Sequence, residues 1–260
     1  MEPTSPQRPG PSRPDLVLIP GLLNDGDLWR DQVAALADVA ACQVADITRS
    51  DTLEGLAEDV LADAPPRFAL AGFSLGGYVA QEIMRVAPGR VTRLALLDTA
   101  IRADAPHRAA ERAALSRLAR VPGRFHGFGD RLLATYLHAS HLDDAAIVGR
   151  IRAMTERLGP DVFVRQNGIE RRDGEAVLRA LACPTLILCG EDDRLTPLSE
   201  HRVMAGLVPG ATLVAVPRSG HMTPLEQPAA VSRALRDWLA RPAPGDGPAA
   251  LPSIDRPATR

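Results

Sequence analysis

The stretch AGFSLGGY, Ala71 to Tyr78, sets one serine between near glycines, directly behind the apolar run RFALA. Gly72, Phe73, Ser74, Leu75 and Gly76 fit the pattern G-x-S-x-G, and the helical period of YVAQEIM follows, so the segment reads as strand, tight turn, helix. A turn of this kind strains the backbone and brings strand and helix so close that a Cβ at either glycine would clash. Ser74 is then exposed at a helix N-terminus, where free N–H groups and the dipole favour a developing oxyanion. The chemistry on offer is attack on a carbonyl. The plain alternative is a structural turn serine.

A serine hydroxyl needs a base to take its proton. Of six histidines, His107, His126, His138 and His141 lie in a helical middle region and His201 in a helix rich in polar residues, and all five read as solvated surface. His221 differs: it follows the strand TLVAVP in the loop RSGHMTPLEQP, and loops at the carboxyl ends of strands converge on one site. The imidazole in turn needs a carboxylate to hold its tautomer. CGEDDRLTP, after the strand TLILCG, offers Glu191, Asp192 and Asp193.

The elements that must position these groups alternate along the chain. DLVLIP, ACQVADI, RFALA, RLALLD, TLILCG and TLVAVP read as strands, most of them apolar on consecutive positions, as strands buried on both faces do. Between them LWRDQVAALADVA, TLEGLAEDVLADA, GGYVAQEIMRVA, LSEHRVMAGLV and PAAVSRALRDWLA carry apolar residues at helical spacing, with Asp51 and Glu54 resembling a capping box before the second. Such alternation predicts a doubly wound, mostly parallel α/β sheet of residues 15–100 and 182–240. Residues 101–181 hold no convincing strand and several helical stretches, which predicts a helical cap over the strand ends, where ligands bind in open α/β sheets. Residues 1–14 and 241–260, rich in Pro, Gly and Ala, read as disordered tails.

Together GFSLGG, GEDDRLTP, SGHMTPLEQP and LIPGLLNDGDLW resemble the α/β-hydrolase superfamily over nearly all of residues 15–240. The resemblance implies a Ser-His-Asp triad. The family pattern G-x-x-D-x-x-x-P falls on Gly190, Asp193 and Pro197 and so points to Asp193, with Asp192 and Asp98, at an acid position of some relatives, as alternatives. It also implies an oxyanion hole from the backbone N–H groups of Leu22 and Leu75. Pro20 stands where the family usually has a histidine; the expected donors are backbone groups, so the change is tolerable. The family's first two strands are not evident before Asp15, which predicts a shortened sheet of about six strands.

The implied reaction is acyl transfer to water on an ester, thioester or lactone of a small molecule. Carbon–carbon bond hydrolysis and cofactor-free perhydrolysis use the same triad, and a non-catalytic ligand-binding protein on the same fold is a third reading. A net charge of -2 argues against nucleic acid as partner. The chain has no lysine, which excludes Schiff-base and Ser-Lys chemistry. No G-x-G-x-x-G or phosphate loop follows a strand, so no cofactor is expected; HASHLDD, His138 to Asp144, matches no metal-site spacing. Neither a membrane-spanning run nor a signal peptide is evident, and three cysteines, Cys42, Cys183 and Cys189, give no disulfide framework, which together predict a cytoplasmic protein. Residues 101–180 carry 14 Arg against 10 Asp and Glu, an excess that suits anionic substrates if it faces the site and means solvated helix faces if not. Arg165, Arg171 and Arg172, where helical period lapses, are the candidate contacts.

Overall fold

The computed structural model describes residues 13–121, 125 and 127–243; His126 and most of both expected tails lie outside these. Six strands, β1 Asp15–Ile19, β2 Ala41–Val44, β3 Phe68–Phe73, β4 Val91–Leu97, β5 Thr185–Gly190 and β6 Thr212–Val216, form one sheet in the order β2-β1-β3-β4-β5-β6. Every pairing is parallel. The helices are α1 Arg30–Leu36, α2 Leu53–Asp63, α3 Leu75–Val86, α4 Pro106–Ala119, α5 Asp130–Tyr136, α6 Ala145–Gly168, α7 Glu175–Arg179, α8 Leu198–Leu207, α9 Thr223–Glu226 and α10 Pro228–Leu239.

β3 and β5 are buried at every position, which accounts for their unbroken apolar sequences. One face of the sheet packs Leu16, Leu18 and Phe73 against Leu36 of α1 and Leu235 of α10. The other packs Val17, Ile19 and Leu70 against Leu56 of α2, Val79 of α3 and Met204 of α8. The chain winds outward from β1 to β2, then crosses back to begin β3 on the other side of β1. That reversal opens a crevice at the carboxyl ends of β1 and β3, and β3 ends one residue before Ser74.

Among the described residues α4 to α7 and no strand lie between β4 and β5. Three local expectations change. α6 continues past Leu158 to Gly168 through a break at Gly159, φ 71, with Pro160 restarting the helix, so Arg165 is helical. The cap of α2 is Thr52, whose side chain accepts from the Gly55 N–H; Asp51 lies one residue too early for a capping box, and Glu54 pairs with Arg172 instead. TPLE within the His221 loop forms the short helix α9.

Candidate active site

Ser74 sits at φ 50, ψ -113, a conformation a side chain rarely adopts. Glycine makes the turn possible: a Cβ on Gly72 would stand 2.3 Å from the Gly76 carbonyl oxygen, and one on Gly76 would stand 2.4 Å from that of Ile19. Three hydrogen bonds fix the turn. The Ser74 N–H donates to Leu97 O at 3.0 Å, and the Ser74 carbonyl accepts from the Gly77 N–H at 2.9 Å and the Thr99 hydroxyl at 2.8 Å.

From Ser74 a chain of hydrogen bonds runs inward. Ser74 Oγ lies 2.9 Å from His221 Nε2, and His221 Nδ1 lies 2.8 Å from Asp193 Oδ2. The imidazole, 2% exposed, is packed between the rings of Phe73 and Tyr136. Asp193 also accepts from the Leu195 and Thr196 N–H groups and the Thr196 hydroxyl. Burial raises the Asp193 pKa, but the His221 charge and the hydrogen bonds from His221 and Thr196 outweigh it and hold the carboxyl at about 2. An ionised carboxylate only accepts, so the imidazole proton is held on Nδ1 and Nε2 is free to accept from Ser74.

The alternative acids are elsewhere. Asp192 is exposed and pairs with His138 at 3.6 Å. Asp98 is wholly buried, accepts from the Gly190 N–H at 2.9 Å and from the Thr223 hydroxyl, and is pushed well above the usual carboxylate range by burial and by Asp193.

His201 corrects the expectation of solvated surface. It is fully buried, Nδ1 donates to Pro197 O at 3.2 Å, and Nε2 accepts from the Thr99 N–H at 3.2 Å, which braces the residue that holds the Ser74 carbonyl. Burial pulls its pKa down to about 4. His138 and His141 are half-buried rather than solvated, while His107 is exposed.

Two supports carried no sequence signal beyond their polarity. The buried carboxylate of Glu226 accepts from the Gly220 and Met222 N–H groups on either side of His221, at 2.9 and 3.1 Å. Its other oxygen accepts from the His138 N–H at 2.7 Å and meets His141 Nδ1 at 3.0 Å. Gln166, fully buried on α6, accepts from the Leu23 N–H at 2.8 Å and donates to Ile47 O at 3.0 Å, pinning the turn after β1. Leu22 in that turn and Leu75, the first residue of α3, both line the same cavity as Ser74. As the residue opening a helix, Leu75 has no carbonyl one turn back for its N–H.

That cavity measures about 460 Å³. Leu115, Leu118, Phe125, Phe128, Leu132 and Phe163 give it apolar walls, and Arg108, Arg112 and Arg171 bring positive charge. Of the three arginines expected at the site, only Arg171 lines it. Arg165 lines a separate depression with Asp51 and Asp161, and Arg172 pairs with Glu54 on the surface. Sequence reasoning missed Arg108 and Arg112 because both lie on an α4 with only weak apolar periodicity. Among the described residues no group of three or more His, Cys, Asp or Glu could hold a metal, and no helix is long and apolar enough to cross a membrane.

The chain belongs to the alpha/beta hydrolase family, whose model matches residues 16–234. It is 30% identical over 251 residues to a pimeloyl-[acyl-carrier protein] methyl ester esterase of Stenotrophomonas maltophilia, covering 90% of this chain and 96% of that one. It is 27% identical to a putative carbamate hydrolase of Klebsiella pneumoniae over 89% of this chain and 93% of that one. Among solved structures, a thermophilic esterase from Thermogutta terrifontis, with malate bound, superposes with a TM-score of 0.78 at 30% identity, over 86% of this chain and 89% of that one. The chain is a hydrolase of this family.

Proposed function

We propose that the protein is a serine hydrolase that cleaves an ester, thioester or lactone of a small molecule through an acyl-enzyme. The observation that carries this reading is the hydrogen-bonded line from Ser74 Oγ through His221 to Asp193, at 2.9 and 2.8 Å. Ser74 attacks the carbonyl carbon while His221 Nε2 takes its proton, and Asp193 stabilises the imidazolium that results. The Leu22 and Leu75 N–H groups receive the oxyanion, at the N-terminal end of α3 where the helix dipole adds to them. His221 then returns the proton to the leaving group, and water, activated by the same imidazole, releases the acyl group. An ester is favoured among the bond types because the relatives include esterases. We assign the enzyme to the cytoplasm, since three free cysteines suit a reducing compartment.

The test is intact-mass labelling by a small fluorophosphonate, beside a Ser74→Ala control. We expect one added phosphonyl group on the wild type and none on the variant, with turnover of at least one ester, thioester or lactone in a panel. A panel in which only β-diketones or peracid formation respond moves the reading to carbon–carbon hydrolysis or perhydrolysis on the same residues. Absence of both labelling and turnover supports a ligand-binding protein instead.

A further inference from the structure

The other charges around the cavity are paired or open to solvent: Asp104 pairs with Arg112, while Glu111 and Arg108, whose Nη1 donates to Leu195 O at 3.2 Å, are exposed. Arg171 is different. It is 8% exposed, lines the cavity with Ser74, and among the described residues makes a single hydrogen bond, from Nη1 to Ile169 O at 2.7 Å. Among the described residues no carboxylate lies within ion-pair distance of it. Its guanidinium stacks 5.5 Å from the centroid of the Tyr78 ring, whose hydroxyl is already committed to Arg102 O at 3.1 Å. The ring is therefore a platform rather than a competing ligand.

Burying a guanidinium without a counter-charge is costly, and such a group is retained where an anion arrives to share the site. Burial, then the neighbouring Arg112, lowers the Arg171 pKa to about 10, so it stays cationic at neutral pH. Nε and Nη2 remain as a fork of donors matched to a carboxylate. Tyr78 follows Ser74 by one turn of α3, a rise of about 6 Å, so the fork and the nucleophile share one wall of the cavity.

We propose that Arg171 is a substrate-binding residue and that the preferred substrate carries a second, ionised carboxylate on the part that enters this cavity: a half ester of a dicarboxylic acid, or an ester or lactone of a carboxylate-bearing acid. The carboxylate takes the Nε and Nη2 donors of Arg171, and the intervening chain lies against Leu115, Leu118 and the phenylalanine walls. This rests on Ser74 being the nucleophile, which fluorophosphonate labelling reports independently.

The test compares kcat/KM on monomethyl esters of dicarboxylic acids of increasing length with the dimethyl esters of the same acids, and on acetate esters of hydroxy acids with their methyl-esterified counterparts. At the best length we expect the wild-type enzyme to prefer the acid by about 30- to 100-fold, the worth of a buried charge-assisted hydrogen bond. In Arg171→Met the ratio of kcat/KM on the acid to that on the neutral ester should collapse toward unity. The wild-type comparison stands even if that variant does not fold. In parallel, free dicarboxylates should bind Ser74→Ala in calorimetry, a readout that needs no turnover. The proposal is overturned by a labelled, ester-cleaving wild type with no preference for any acid, or by a preference that survives in a folded Arg171→Met. Turnover of coenzyme A thioesters alone overturns it, because the anion recognised would then be a phosphate on the carrier. Failure of every dicarboxylate to bind Ser74→Ala overturns it too.

Discussion

Asp98 and Asp193 are buried close enough for each to feel the other's charge, yet they titrate in opposite directions. Asp193 has the His221 imidazole and three further donors; Asp98 has a hydroxyl and one N–H and no such ring beside it, so burial and the Asp193 charge push it toward its protonated form. Asparagine at Asp193 would present the wrong tautomer partner to His221, and we expect Asp193→Asn to lower kcat by about 10⁴-fold. In Asp98→Asn the amide can accept from Gly190 and donate to Thr223, so kcat should stay within several-fold. Stability gives the second readout. With the native Asp98 pKa raised, the native state holds a proton the unfolded chain releases, so stability falls as pH rises from about 4 toward the native pKa. Asp98→Asn removes this loss, and its urea midpoint should exceed that of the wild type increasingly as pH rises. His201 has the opposite sign. Its native pKa, about 4 against an ordinary 6.5, means that its contribution is complete above pH 6.5 and is lost on acidification through pH 4. That loss is roughly 3 kcal/mol from the shift. The stability difference between wild type and His201→Gln should therefore shrink as pH falls from 7 to 4.

Elements with a strong local signal were legible. β5 runs from Thr185 to Gly190, as its sequence alone delimits it, and the elbow at Ser74 followed from Gly72 and Gly76. The helices that build the cavity were less so. α4 carries little apolar periodicity because it packs on α6 through polar groups: Asn167 Nδ2 donates to Arg112 O at 2.7 Å and to Ser116 Oγ at 2.8 Å. α9 is only four residues long, too short for a period, yet it delivers Glu226 to the His221 loop. In Glu226→Gln one amide oxygen can still serve Gly220 and Met222, but the amide nitrogen then faces the His138 N–H, donor to donor. A His221 loop displaced by about 1 Å should cost on the order of 10²-fold in kcat with KM little changed. Fluorophosphonate labelling should slow in parallel.

At the scale of the whole molecule, the sheet is a wall buried on both sides, with Ser74, Asp193 and His221 on loops beyond its carboxyl edge. A core residue far from those loops should then affect stability without affecting the site. Leu16, at the amino end of β1 and fully buried, is such a residue. Leu16→Ala is expected to lose about 2–5 kcal/mol of stability, seen as a lower urea midpoint at unchanged slope, with kcat unaltered at temperatures where the protein remains folded.

The sequence by itself determined the strand and helix alternation, the turn chemistry at Ser74 and the short set of histidine and carboxylate candidates, because periodicity and glycine spacing are local properties. Tertiary structure decided which candidates meet. Ser74 and His221 are 147 residues apart, and Leu23 and Gln166 are 143 apart, and only the winding of the sheet brings each pair to hydrogen-bond distance. It also decided that His201 is buried and neutral, that Arg171 lines the cavity while Arg165 and Arg172 do not, and that Asp98 is pushed toward its protonated form. A side chain's own element sets the direction in which it points. What packs against it, and hence its solvation, charge state and partners, depends on segments the local sequence does not contain.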